Sequence, residues 1–461
     1  MTRPNGAPSS GRDAADEVDE MKGETAQSEK GRGERSIMTP ETAYAEAMKY
    51  ENRANPYPFF DELRKTPVAR VANGIYAVTG YRELLTLAHD PRVSSDRSHS
   101  PLGAKPAAGA TAAGTAEAEH MEAYGRAKNM ITSDPPEHDR MRRQAMRHFG
   151  PPHSPDVIPQ MAPDIQRLCN ELLDKAKGKT RIDIVDDFAY PVPVAVICKI
   201  LGVPLKDEPT FHGWIADFMA GIMDMGPEIA TEEGKARAAK GKASTAALAQ
   251  YMAELIEGFI QEPGESLLSK LVNDDGPDGP MSPQDAASNA LLLLVAGHDS
   301  TVNTIAHCVL TVLRHPGSVE LLRRRPELIP GAIEEVLRVE SAVQFFPSRS
   351  ALADIEIAET VIPKGSAVFL MYGAANRDPS RFPNPNHFDP ARRDNQHFGW
   401  GSGIHTCFGG PLARLEVNLA FETFLRRVEN PRLVVDPPPY RQSNVFRGPR
   451  HLLIDFDGIR D

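Results

Sequence analysis

Trp400-Gly401-Ser402-Gly403-Ile404-His405-Thr406-Cys407-Phe408-Gly409-Gly410 is the stretch on which the reading of this chain turns. One cysteine stands between a glycine-rich loop and Leu412-Ala413-Arg414-Leu415-Glu416, which has the character of a helix start. Glycines let the backbone approach a flat ligand closely and turn N–H groups toward the sulfur, while a helix N-terminus favours thiolate over thiol. The stretch therefore predicts a ligating thiolate at Cys407. The other cysteines, Cys169, Cys198 and Cys308, are widely spaced and form no Cys-x-x-Cys pair, so neither a zinc site nor a disulfide framework is expected. A reducing cytoplasm fits that usage.

Working outward, the next signals lie upstream. Ser282-Pro283-Gln284-Asp285 supplies an N-cap hydroxyl, a proline at the first helical position and an acid three residues after the cap, and the helix it opens should run to His315-Pro316. At ~1.5 Å per residue that helix is on the order of 45 Å long. Inside it stands Ala296-Gly297-His298-Asp299-Ser300-Thr301. Glycine in a helix costs ~1 kcal/mol relative to alanine and a buried acid is expensive, so this combination points to function. Glu335-Val336-Leu337-Arg338 places an acid and a base on one helical face, which alone would read as a surface ion pair. Asp134-Pro135-Pro136-Glu137-His138 opens another helix, with His138 and Arg142 four apart on one face.

The remainder organises around these segments. Residues 1 to about 40 are polar and almost free of large apolar side chains, and they are expected to be a disordered tail before a single unit over 41–461. Pro58 to Leu63 begins a short helix, Val68 to Thr79 alternates around Asn73-Gly74 as a hairpin, and residues 103–118 read as a mobile loop. From Pro155 to Pro263 helical spacing is broken at Pro191-Val192-Pro193, Gly202 and Gly226-Pro227. A helix over Ile329–Val339 precedes strand-like Ile355-Glu356-Ile357 and Ala367-Val368-Phe369-Leu370. The expected fold class is mainly α with a minor β region.

Taken together these motifs resemble the cytochrome P450 superfamily, whose cysteine signature is matched by Gly403, His405, Cys407 and Gly409, with Trp400 where Phe is usual. The resemblance implies one triangular domain with haem b between the long helix and the cysteine loop. It makes Cys407 the axial iron ligand, a thiolate whose electron donation favours O–O cleavage. It makes the Ala296 turn an oxygen-activation motif in which Asp299, Ser300 and Thr301 handle protons, Ser300 standing where Thr is usual. His138, Arg142, Arg349 and His405 match positions that hold the haem propionates, and Arg is suited to carboxylates because its planar fork donates two bonds. Phe388-Asp389-Pro390-Ala391-Arg392 resembles the segment that adds a second arginine to the Glu335–Arg338 pair. Ala296 and Gly409 would contact the haem, and Leu292, Val295 and Phe345 would line the substrate space.

The implied activity is a monooxygenase that hydroxylates or otherwise oxidises a small apolar or aromatic molecule, in natural-product biosynthesis. Oxidative C–C or C–N coupling without oxygen insertion and a non-enzymatic haem sensor are the alternatives. A separate ferredoxin and ferredoxin reductase are implied as electron donors, docking on a cationic face of Arg140, Arg143 and Arg147. A formal net charge of -11 over 461 residues argues against nucleic acid as a partner, and no stretch near the start resembles a signal peptide or membrane anchor.

Overall fold

The computed structural model describes residues 38–99, 128–221, 230–347 and 349–461. The expected disordered tail, the expected mobile loop and the Gly226-Pro227 break lie outside these residues, apart from the last few residues of the tail. Pro40–Asp461 forms one compact unit. In chain order its helices are α1 (Pro40–Met48), α2 (Tyr57–Arg64), α3 (Tyr81–Ala88), α4 (Glu137–Phe149), α5 (Ala162–Asp174), α6 (Pro191–Leu201), α7 (Glu208–Gly221), α8 (Glu232–Gln261), α9 (Leu267–Val272), α10 (Pro283–Arg314), α11 (Ser318–Arg324), α12 (Ile329–Val339), α13 (Tyr372–Ala375) and α14 (Gly410–Arg427).

The long helix starts where its cap predicts. The Asp285 N–H donates to Ser282 Oγ at 3.1 Å, and Pro283, which needs no N–H partner there, is the first helical residue. From Thr301 to Val312 every residue of α10 is buried, so this half is surrounded by protein on all sides. Pro191 is likewise the first residue of α6 rather than the middle of a break, because a first turn tolerates the missing donor. Gly202 ends α6 in the left-handed conformation at φ 77°.

The strands are β1 (Val68–Ala72), β2 (Ile75–Val78), β3 (Val93–Ser94), β4 (Arg181–Asp183), β5 (Ser350–Ala351), β6 (Ile355–Ile357), β7 (Thr360–Ile362) and β8 (Ala367–Leu370), with four short ones in the C-terminal part. The predicted hairpin is β1–β2, with Val68 opposite Val78. It continues into a sheet of order β1-β2-β8-β5-β3, in which β2 and β8 run parallel, Ile75 beside Ala367 and Val78 beside Leu370. This one pairing ties the N-terminal hairpin to a segment almost 300 residues later. Val78, Leu370, Tyr81, Phe382 and Phe398 pack into a common core, with the Tyr81 and Phe398 rings 4.6 Å apart. Phe398 lies two residues before Trp400, so this core fixes the start of the cysteine loop.

Candidate active site

The cysteine loop is built on two left-handed glycines, Gly401 at φ 70° and Gly403 at φ 71°. A side chain on Gly403 would also collide with the Ala88 carbonyl, 2.2 Å from where its Cβ would sit. The Cys407 N–H donates back to the Trp400 carbonyl at 2.8 Å, closing the loop, and α14 begins at Gly410. Burial among protein atoms pushes the Cys407 thiol up, and the amides of Gly409 and Gly410 and the guanidinium groups of Arg142 and Arg414 oppose that push. Cys407 is nevertheless exposed, whereas Cys169, Cys198 and Cys308 are buried, and all four are free.

Next to the loop, four nitrogen-bearing side chains from three separate segments converge. The His138 and His405 rings are 4.6 Å apart, and Arg142, one turn along α4 from His138, donates from Nη2 to the Thr406 carbonyl at 2.8 Å. Arg349 is 5% exposed. Burial, followed by the charges of Arg349, His138 and Arg142, drives His405 down to about 2. The His138 ring is buried, with Nδ1 against Asp139 and no partner for Nε2. Two guanidinium groups crowded this way beside two imidazoles call for anions, and the two carboxylates of a haem meet that requirement beside a cysteine able to bind iron. The donor set therefore fits haem, with Cys407 as the metal ligand. The sequence offered no signal for Ser95, whose hydroxyl lies 2.7 Å from His405 Nε2 across 310 residues of chain.

On α10, the predicted motif lies in unbroken helix. Ser300 Oγ donates to the Ala296 carbonyl at 2.7 Å, and Thr304 does the same to Ser300. Gly297 faces α6: a Cβ there would lie 3.2 Å from Ile197 Cδ1, so close helix packing explains this glycine, and the helix does not open at it. Asp299 is 2% exposed, receives Arg441 Nη1 at 3.4 Å on Oδ1, and has no partner on Oδ2. Neither ring nitrogen of His298 has a hydrogen-bond partner, although Nδ1 lies 3.9 Å from Asp299 Oδ1; its ring packs on Tyr190 at 4.9 Å, and burial lowers it to about 4. Tyr190 in turn bonds Glu208 and His212 on α7. Arg441 and Tyr190 were not foreseen, since nothing in their local sequence marks them. Thr301 is 3% exposed.

Above this turn lies a cavity of about 850 Å³ between α8 and α10. Leu292, Val295 and Ala296 line it, together with Phe218 and Phe446. Ser300 follows Ala296 by one turn on the same face. Phe345 does not line it: that ring is 0% exposed and stacks on Phe369 at 5.8 Å, while Phe346 takes the lining position. A one-residue shift along an extended segment reverses the side chain's face, which explains the difference.

Behind the loop, Glu335 and Arg338 are both fully buried. Arg338 donates to both Glu335 oxygens at 2.7 and 2.8 Å and to the carbonyls of Asn376, Pro385 and His387. Arg392 Nε adds a bond to Glu335 at 3.0 Å. The expected cationic face, by contrast, is neutralised. Arg140 pairs with Asp285 at 2.9 Å, Arg143 with Asp278 at 2.7 Å and Arg147 with Asp274 at 3.4 Å, because the α9–α10 connection and the first turn of α10 bring their own acids against α4.

A cysteine loop leading into α14, which packs on the long helix α10 that carries the acid-hydroxyl turn, defines a haem-thiolate class of site. The family model for cytochrome P450 matches residues 102–325 and 322–455. The chain is 35% identical to 6-deoxyerythronolide B hydroxylase of Saccharopolyspora erythraea over 409 residues, 87% of this chain and 96% of that one. Among solved structures it is similar to P450BioI in complex with an acyl carrier protein ligated to hexadec-9Z-enoic acid, with TM-score 0.76, 32% identity, and coverage of 88% of this chain and 100% of that one. It is also similar to a cytochrome P450 for C–S bond formation in chuangxinmycin biosynthesis, with TM-score 0.73, 31% identity, and coverage of 87% and 94%. The chain belongs to the cytochrome P450 family. It is a monooxygenase of that family, and haem b is its cofactor. No helix among the described residues is long and apolar enough to cross a membrane.

Proposed function

We propose that this enzyme hydroxylates an apolar natural-product molecule held in the cavity between α8 and α10. The observation that carries the reading is the placement of Leu292, Val295 and Ala296 on the cavity wall with Ser300 and Asp299 one turn further along the same helix. When bound, haem supplies dioxygen binding and reductive O–O cleavage, with Cys407 as the electron-donating ligand. The protein's part is to hold and move protons. Asp299 Oδ2, the spare acceptor, takes protons relayed from solvent past the part-exposed Arg441, which orients the carboxylate without giving up a proton of its own, and the Ser300 hydroxyl passes them toward the cavity by exchanging its bond to the Ala296 carbonyl. Arg142, Arg349, His138 and His405 hold the propionates, Gly409 keeps the chain close to the ring, and Thr301 supports Ser300. The wall next to the turn, formed by Leu292, Val295, Phe218 and Phe446, is apolar, so few waters compete there for delivered protons.

Electrons come from a separate ferredoxin and its reductase in the cytoplasm, a compartment consistent with four free cysteines. A relative named 6-deoxyerythronolide B hydroxylase and the mostly apolar lining support an apolar substrate. Oxidative bond formation is the second reading: a similar structure is titled for C–S bond formation, and the Ser300 hydroxyl is occupied by its own helix. Turnover under labelled dioxygen separates the two. Label in the product supports hydroxylation, and its absence from an oxidised product supports coupling.

A further inference from the structure

Glu334 stands one residue before the buried Glu335, yet it belongs to neither the Arg338 network nor the oxygen side. Its carboxylate gathers three donors from the cysteine side of the molecule. Trp400 Nε1 reaches Oε2 at 2.8 Å, His397 Nε2 lies 3.0 Å from the same oxygen, and Arg414 Nε reaches Oε1 at 2.7 Å. These bonds hold Glu334 down at about 2 against the upward push of burial, so it is ionised at any working pH. The Arg414 guanidinium lies over the Trp400 ring, 4.4 Å from its centroid.

Ring, guanidinium and cysteine meet around one α-carbon. A Cβ on Gly410 would lie 3.6 Å from Trp400 Cε3, 3.7 Å from Arg414 Nη1 and 3.8 Å from Cys407 Cβ. Arg414 is nonetheless 45% exposed, and a long exposed side chain has many rotamers to visit unless something fixes it. The indole N–H is also the feature that distinguishes Trp400 from a phenylalanine, and it is spent on the same carboxylate.

We propose that Glu334 is a positioning residue that clamps Arg414 over the Trp400 indole, keeping one cation beside the Cys407 thiolate and thereby setting the reduction potential of the haem. A cation there stabilises the extra negative charge that reduction brings, so its loss moves the midpoint to more negative values. The proposal rests on haem ligation by Cys407 and is independent of which oxidation the enzyme performs.

The test is spectroelectrochemical titration of the purified holoenzyme and of Arg414→Gln, Glu334→Gln and the double variant. Arg414→Gln is expected to shift the midpoint negative. Glu334→Gln deletes a negative charge, so acting by its own charge alone it would shift the midpoint positive; acting by holding Arg414, it shifts it negative. The double variant is then no more negative than Arg414→Gln. A positive or absent shift for Glu334→Gln, or shifts that add in the double variant, overturns the proposal. Should Glu334→Gln fail to take up haem, Glu334→Asp is read instead: it keeps the charge and shortens the reach, so a negative shift supports the clamp and an unmoved midpoint refutes it. A wild type that binds no haem would undo the ligation by Cys407 itself.

Discussion

The two sides of the haem site treat buried polar groups in opposite ways. Behind the cysteine loop, both oxygens of Glu335 and every nitrogen of Arg338 have partners, among them three backbone carbonyls from 376 to 387. On α10, Asp299 keeps one oxygen without a hydrogen bond, His298 both ring nitrogens, and Asn303, one turn on, both amide atoms. Partnered charge gives rigidity, since each member is held by the others. Unpartnered polar groups are costly to bury, and their concentration around Asp299 and Ser300 fits the proposal that this turn accepts and releases protons.

Breaking the rigid side should have the largest effect. Arg338→Ala leaves buried Glu335 with Arg392 as its one remaining counter-ion and strips three carbonyls of their donor, costing about 3–5 kcal/mol, and the expected outcome is loss of haem content together with a lowered unfolding midpoint. A variant that kept full haem occupancy and stability would mean the network is not what holds the loop. Asp299→Asn addresses the other side: product formation should fall on the order of 100-fold with an enlarged solvent isotope effect, while thermal stability stays near wild type. An equal loss of stability would erase the contrast between the two sides.

Glu416, on α14 nine residues after the cysteine, sharpens the comparison, because it is a buried acid on the loop side that does keep a spare oxygen. Burial pushes it up to about 8 from an ordinary 4.5. Between those values the folded protein holds a proton that the unfolded chain has released, so stability falls as pH rises from about 4.5 to about 8 and levels off above. Glu416→Gln should remove that slope and stabilise the protein at pH 7 by about 3 kcal/mol, read from denaturant unfolding across pH. The smallest effect is expected for Ser300→Ala, which removes the relay hydroxyl and its bond to the Ala296 carbonyl but leaves the Asp299 carboxylate in place. Product formed per reductant consumed should drop, by less than in Asp299→Asn, with unchanged haem binding.

Much of this site was legible because its chemistry is local in sequence. The cap at Ser282, the left-handed glycines around Cys407 and the i, i+4 spacing of His138 and Arg142 each leave a mark within a few residues. What was not legible depends on distant chain. The β2–β8 pairing joins residue 78 to residue 370, and Arg441 reaches Asp299 from a segment without secondary structure of its own. The choice of Phe346 over Phe345 turns on which way one extended residue faces, and two adjacent phenylalanines look alike in sequence. The acids that neutralise Arg140, Arg143 and Arg147 stand more than 120 residues away from them, so the sequence showed the cations and hid their counter-ions.

The cysteines give the protein a simple reactivity. Three thiols lie in the core, where burial pushes Cys169 and Cys198 up to about 12 and Cys308 higher still, and one, Cys407, is exposed. A thiolate bonded to iron does not react with an alkylating reagent, whereas the same sulfur in haem-free protein does. Counting labelled thiols under native conditions therefore counts cofactor: none for the loaded enzyme, one for the empty fold, four for the unfolded chain.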